Sequence, residues 1–218
     1  MNGWLVFVDF VRALVFAAAH LCGDSLGGGI LALSVVVRVA LLPLTFRAAR
    51  RALAHQTKLR SIAPHLAALK KKHGADRAKL GEATVAVYKE HGIEMVPRGT
   101  FTTMLVQAPI GSAIYSALGA GLKSRTAFLW VADISRPDAA VAIGAAVLAG
   151  LAAGAAPPSF NKVGVAVGTL FTLFFAWRLA ASVGLYWLAS NVVGVAQSVL
   201  LRFSPEAKAA RLAATAAV

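Results

Sequence analysis

An arginine in the middle of a long apolar run is the residue of this sequence best placed to do chemistry. Arg38 is the only charged residue between positions 29 and 46, a run long enough to cross the hydrocarbon core of a membrane. On insertion scales a mid-span arginine is unfavourable by roughly 2.5–3.5 kcal/mol, so it normally faces a bundle interior or a water-filled cavity. The alternative is snorkelling, but Arg47, which ends the run, lies about 13 Å further along the helix. We expect Arg38 to be functional and exposed to water.

The sequence offers Arg38 no carboxylate partner, because no aspartate or glutamate lies inside any of the predicted spans. There is also no P-loop, GxSxG or HExxH motif. These absences argue against an intramembrane hydrolase and a proton-coupled transporter, so we expect no catalytic residue, metal or cofactor. The single cysteine, Cys22, excludes an intrachain disulfide and is interpreted as an ordinary interfacial residue.

Uncharged polar side chains within the apolar runs form a second group of candidates, since in lipid each of them needs a hydrogen-bond partner or water. Interhelical hydrogen bonds explain each one singly, whereas together with Arg38 they would line a hydrophilic groove. Arg178 is interpreted as structural, because it lies near the end of its run, where snorkelling is cheap. The uncharged candidates are Gln107, Ser112, Tyr115, Ser190, Asn191 and Gln197.

The elements that position these residues are predicted to be membrane-spanning helices. The chain is 58% hydrophobic and only 14% charged, with a mean hydropathy of +0.71, whereas soluble domains are about 25% charged. The apolar residues form long runs rather than being spread evenly. We predict an all-α integral membrane protein with a single domain, and five transmembrane helices at 29–46, 99–122, 139–156, 163–180 and 183–201.

The first 24 residues are predicted to form an amphipathic helix that lies on the membrane surface. Asn2, Asp9, Arg12 and His20 fall on one side of a helix whose other positions are mostly apolar. An imperfect spanning helix is the alternative. The run Gly27–Gly29 predicts a turn before the first span.

Residues 47–98 are predicted to form a cytoplasmic antiparallel helical hairpin. The spacing of Leu59, Ile62, Leu66 and Leu69 indicates a helical seam, residues 73–76 a turn, and Pro64 a kink or a helix start. The segment holds 12 of the 22 lysines and arginines but only four acidic residues. By the positive-inside rule it is cytoplasmic, and it would attract anionic lipid headgroups or ribosomal RNA. The outer loop is then 123–138, the tail at 202–218 is short, basic and cytoplasmic, and the first span starts outside.

Five segments, in order, resemble the YidC/Oxa/Alb insertase family from about residue 3 to Arg202. They correspond to its first core span with the arginine, the two hairpin arms, the second span, the outer loop and the last span. The sequence departs from the family after Gly92, where an Asn-Pro-Leu-Gly-Gly turn is usual, and at 181–184, where Pro-x-Gly is usual. The matching segments are 35–44, 62–66 with 88–92, 105–110, 128–135 and 184–191.

The resemblance implies a short bacterial-type insertase without the large periplasmic domain, located in the inner membrane. It implies no covalent chemistry, and a groove that receives a polar or acidic segment of a client. The implied partners are newly made membrane proteins, with the ribosome, the Sec translocon and anionic lipids as further candidates, and no DNA. The expected groove residues are Arg38, Gln107, Asn191, Gln197 and Trp187.

Two other functions remain open from the residues alone. A small anion transporter would use Arg38 as its binding charge, although the chain shows no repeat symmetry. A membrane-complex assembly factor would pair Arg38 with a carboxylate of its partner.

Overall fold

The computed structural model describes residues 2–74, 76–95, 98–119, 126–157 and 162–215, with the side chains of 98–104, 119 and 213–215 left out. This part of the chain is all α, as predicted. Residues 120–122 of the second predicted span, 123–125 of the predicted outer loop, and 158–161 between the third and fourth predicted spans lie outside it. The helices are α1 (Gly3–Leu21), α2 (Leu26–Ser61), α3 (Ala63–His73), α4 (Arg77–Glu90), α5 (Arg98–Gly119), α6 (Ala139–Ala155), α7 (Lys162–Arg178), α8 (Ala181–Leu201) and α9 (Pro205–Thr215).

Several helices are apolar enough for a bilayer, so this is a membrane protein. Within the described residues, α1, α2 and α8 are long and apolar enough to cross a membrane, and α6 and the segment Leu105–Leu118 of α5 are shorter apolar helices. By length and composition α1 therefore also qualifies as a span. That α1 lies on the membrane surface, that there are five spans, and which ends of the spans face the cytoplasm all stay predictions.

Helix α2 runs without a break from the first predicted span into the first arm of the hairpin. Pro43 is accommodated inside it, and the helix ends only at Ser61. Pro64 lies in the first turn of α3, where proline removes no helical hydrogen bond, so it marks a helix start. The rings of His65 and His91 lie 5.7 Å apart, which makes α3 and α4 antiparallel.

The turn between α1 and α2 lies earlier than the glycine run predicted. Gly23 and Asp24 have φ angles of 69° and 60°, and the Ser25 hydroxyl caps α2 by accepting a hydrogen bond from the Gly28 amide at 3.2 Å. Gly27–Gly29 belong to α2, so the prediction of a turn there was wrong. These glycines permit close packing, because a Cβ on Gly27 would collide with the Phe128 ring and one on Gly29 with the backbone of Ala19.

One hydrophobic cluster joins α1, α2, α5, the loop before α6 and the start of α8. The loop is built into this cluster through Ile134, which is fully buried. Its carbonyls also complete the start of α8, since Ile134 O accepts from the Ser182 amide at 2.9 Å and Arg136 O from the Ala181 amide at 2.8 Å. Helix α8 has no side-chain cap, so the loop satisfies its first free amides.

A second cluster lies at the other end of α2 and α8. Leu53 of α2 and Leu201 of α8 pack there with Ala207 and Ala210 of α9. The sequence predicted only a short basic tail from residue 202, whereas the structure forms α9 there and docks it against α2. Because α2 and α8 both begin near the loop before α6 and both reach this cluster further along, they run in the same direction.

Candidate functional site

Arg38 lies on the side of α2 that faces the bundle. It is partly buried, and it shares a helix face with the buried residues Ser34, Thr45 and Ile30, which lie four, seven and eight positions away along the helix. The opposite face of this stretch is exposed and apolar, as expected for a surface in contact with lipid chains. It consists of Val35, Val36, Val39, Ala40 and Pro43.

The neighbours of Arg38 leave its charge uncompensated. No hydrogen bond or ion pair joins its guanidinium to any of the side chains or backbone groups that the structure describes. The Ser34 hydroxyl donates to Ile30 O, and the Thr45 hydroxyl lies within hydrogen-bond distance of both Leu42 O and a side chain of α8. The guanidinium is therefore available to an anionic group from outside the chain.

Gln197 of α8 faces the same side of α2 as Arg38. Its Oε1 accepts a hydrogen bond from Thr45 Oγ1 at 3.0 Å. Ser190 lies two helical turns before Gln197 on the same face of α8, just as Arg38 lies two turns before Thr45 on α2. Since the two helices are parallel, Ser190 and Arg38 lie at the same level. The Ser190 hydroxyl is buried and has no partner among the described residues.

A cavity of about 410 Å³ lies between α5, α8 and the end of α7. It contains two of the predicted groove residues, Gln107 and Trp187, while Arg38 is not part of its wall. Most of the lining is apolar, and Ala108, Tyr115 and Phe175 are exposed, so the cavity opens to the outside of the bundle. The residues with polar atoms in the lining are Gln107, Ser112, Tyr115, Tyr186 and Trp187.

The remaining candidates lie apart from this cavity. The Asn191 side-chain amide donates to Ala145 O of α6 at 3.1 Å, so it also holds α6 against α8. The Arg178 guanidinium lies 5.3 Å from the centre of the Phe174 ring, a cation–π contact at the end of α7 that fits its structural interpretation. Among the residues described, no three His, Cys, Asp or Glu side chains come together as a metal site.

The predicted groove residues thus fall into three places. Arg38 and Gln197 share the interface of α2 and α8, Gln107 and Trp187 share the cavity, and Asn191 faces α6. Ser112, Tyr115 and Ser190 were recognised only as polar groups within apolar runs. Part of the signal was their spacing, because Ser112 and Tyr115 are three residues apart on one face of α5, and Ser190 precedes Gln197 by seven residues.

Comparison with known proteins identifies the family. A family model described as 60Kd inner membrane protein matches residues 17–208, and curated proteins called membrane protein insertase YidC match nearly the whole chain. The chain belongs to the YidC/Oxa/Alb family. The resemblance in the sequence is thereby confirmed, and the family is one of insertases of the inner membrane rather than of enzymes.

The YidC relatives are longer than this chain. The protein of Azotobacter vinelandii is 31% identical over 219 residues and that of Pseudomonas fluorescens 32% over 220, and each alignment covers 97% of this chain and 38% of the relative. The protein of Marinobacter nauticus is 28% identical over 216 residues, covering 95% and 37% respectively. The chain therefore spans less than half the length of these relatives.

Proposed function

We propose that this chain is a membrane protein insertase of the bacterial inner membrane, and that Arg38 is the charge that attracts the client. The observation that carries the proposal is the position of Arg38 on the bundle-facing side of α2, with no partner among the described residues. Membership of the YidC/Oxa/Alb family supports the activity. The lipid-facing side of the same helix is uniformly apolar, so the arginine is directed away from the bilayer.

The topology that fits this function has five spans, with the start of the first span outside and the C-terminus in the cytoplasm. Helix α1 lies on the outer surface, and the α3–α4 hairpin is cytoplasmic and recruits clients or partners. Helix α1 suits a surface position because one side packs into the core through Val8, Val11 and Val15, while the remaining surface is exposed. This exposed surface is mostly apolar and carries the Asp9–Arg12 ion pair of 2.7 Å.

The proposed mechanism uses electrostatic attraction and needs neither a covalent step nor a nucleotide. A short polar or acidic segment of the client enters the bundle and approaches Arg38, where the low dielectric constant strengthens the attraction between opposite charges. Ser190 and Gln197 lie along the same interface and offer hydrogen bonds. The apolar helix of the client then enters the bilayer, which hydrophobic transfer favours. The open cavity with Gln107 and Trp187 is the proposed lateral exit.

The test is insertion of a single-span client with a short acidic outer tail into proteoliposomes. We expect the wild type to insert it, Arg38→Ala to fall close to the level of empty liposomes, and Arg38→Lys to retain part of the activity because the positive charge remains. Arg178→Ala is the matched control, since it removes an arginine from the end of a different apolar helix and should leave insertion unchanged.

Two results would contradict parts of this proposal. Full activity of Arg38→Ala would leave the insertase assignment standing but remove the role of Arg38. No insertion by the wild type would favour the other two functions. In that case, selective anion flux would indicate a transporter, and purification as a fixed complex that Arg38→Lys disrupts would indicate an assembly factor.

A further inference from the structure

A second cavity, of about 260 Å³, lies at the end of α2 where the helix leaves its apolar stretch. We call it the arginine pocket. Arg47, Arg50, Arg51 and Ala54 recur at helical spacing, so they form one face of α2, and Glu206 of α9 closes the other side. The pocket therefore exists only because α9 is docked.

The one carboxylate of the arginine pocket is already engaged. Both oxygens of Glu206 accept hydrogen bonds from Arg50, from Nε at 2.9 Å and from Nη2 at 2.7 Å. Arg47 and Arg51 are exposed, and neither has an ion-pair partner among the residues that the structure describes. The pocket thus carries two uncompensated positive charges beside a fixed ion pair. Guanidinium groups suit phosphate well, because they bind its oxygens through two parallel hydrogen bonds.

The depth of the arginine pocket suits a lipid headgroup, if the membrane placement proposed above holds. Arg47 directly follows the apolar run at 29–46. From Arg47 to Arg51 the helix rises about 6 Å, and the headgroup region on each side of a bilayer is about 5–7 Å thick. The three arginines therefore lie within the headgroup layer of the cytoplasmic leaflet, where anionic lipids attract basic side chains.

We propose that the arginine pocket binds the phosphate of an anionic phospholipid headgroup, with Arg47 and Arg51 as its ligands and the Arg50–Glu206 pair as a fixed wall. The small volume admits a glycerophosphate headgroup, while the acyl chains stay in the bilayer. A bound lipid would stabilise the junction between the membrane-embedded part of α2, its cytoplasmic extension and α9.

The experiment is native mass spectrometry of the full chain in neutral detergent micelles, titrated with phosphatidylglycerol. We expect the double variant Arg47→Gln/Arg51→Gln to bind the lipid roughly 10- to 30-fold more weakly than the wild type, since each basic side chain near a surface contributes about a factor of five. Arg47→Lys/Arg51→Lys should retain most of the affinity. The matched control is Lys70→Gln/Lys71→Gln, which removes two exposed charges from the hairpin and should bind as the wild type does.

Several outcomes would overturn the proposal. Unchanged lipid binding by Arg47→Gln/Arg51→Gln would show that the pocket is not the site. Displacement of the lipid by an equal concentration of inorganic phosphate would show a phosphate site without lipid preference. Loss of binding to a short RNA, with lipid binding retained, would make the pocket an RNA contact. No client is present in this assay, so its result is independent of the insertion test with Arg38.

Discussion

The side of its helix on which Arg38 lies determines whether its charge is tolerated inside a membrane. The same α-helix offers an apolar side, where an isolated guanidinium would be strongly unfavourable, and a bundle side, where polar groups are tolerated. Arg178 is stabilised differently, because it lies at the end of α7 and its guanidinium rests over the Phe174 ring. Of these two arginines, Arg38 is therefore the one whose charge lies on the bundle side and is available to a ligand.

A substitution of Ser190 tests whether its hydroxyl has a functional or a structural role. A buried hydroxyl without a partner destabilises the folded state by about 1–3 kcal/mol, so Ser190→Ala should leave the thermal unfolding temperature in micelles unchanged or raise it. If the hydroxyl donates to the client, insertion should fall about two- to tenfold, as for one lost hydrogen bond. A lower unfolding temperature together with normal insertion would show that Ser190 is structural.

Gly29 tests the close packing of α1 on α2. A side chain there would collide with the backbone of Ala19, so we expect Gly29→Leu to destabilise the protein by about 1–3 kcal/mol and to lower its thermal unfolding temperature. Gly168→Leu is the matched control, because Gly168 is also a helical glycine, in α7, but has open space where a side chain would go. Equal unfolding temperatures for the two variants would contradict this packing.

At the scale of elements, α2 connects the membrane part of the protein to the hairpin. Since the helix continues from the apolar run to Ser61, a tilt of its membrane-embedded part would move the hairpin as well. Helix α9 braces this extension through the Arg50–Glu206 pair and the Leu53 cluster. Arg202 adds a further link, because its Nε donates to Ala155 O, at the end of α6, at 2.7 Å.

The docking of α9 should depend on pH. The hydrogen bonds from Arg50 lower the pKa of Glu206 below its usual value. A group whose pKa is lowered by folding stabilises the folded state above its unfolded pKa, and this contribution is lost as the pH falls through the lowered folded pKa. We therefore expect α9 to stay docked at neutral pH and to loosen below about pH 4.

A nitroxide spin label on Lys208→Cys, in a Cys22→Ser background, reports this loosening through its mobility. Wild-type α9 should show increased probe mobility only in acid, whereas Glu206→Gln should show it at every pH, because the ion pair is absent throughout. If both proteins give the same pH profile, another acidic group controls the docking of α9.

At the scale of the whole molecule, the proposed topology predicts which of three cysteine positions can be labelled from outside the cell. An impermeant maleimide added to intact spheroplasts should label the native, exposed Cys22. In a Cys22→Ser background it should label Ser135→Cys, in the loop before α6, and should reach Lys71→Cys, in the hairpin, only after the membrane is opened. Labelling of Lys71→Cys in intact cells would invert the topology and would also remove the basis for the arginine pocket as a cytoplasmic lipid site.

Much of this protein is determined by local sequence. The all-α class, the apolar runs, the basic segment, the helix start marked by Pro64, and the unusual Arg38 all follow from composition and spacing. Each depends on properties that act over one or two helical turns, namely hydropathy, charge and the restrictions that proline imposes. The family segments were recognisable for the same reason.

The tertiary structure alone decided which surfaces meet. Gly27–Gly29 form a turn signal locally, yet they lie inside α2, because α1 and Phe128 pack there and leave no room for a side chain. Helix α9 and the arginine pocket depend on contacts between residues about 150 positions apart. The directions of Arg38 towards the bundle and of Asn191 towards α6 depend on where the neighbouring helices lie. Hydropathy measures how apolar a segment is, but not which neighbour each of its faces contacts, and the neighbour determines whether a polar side chain is paired or free.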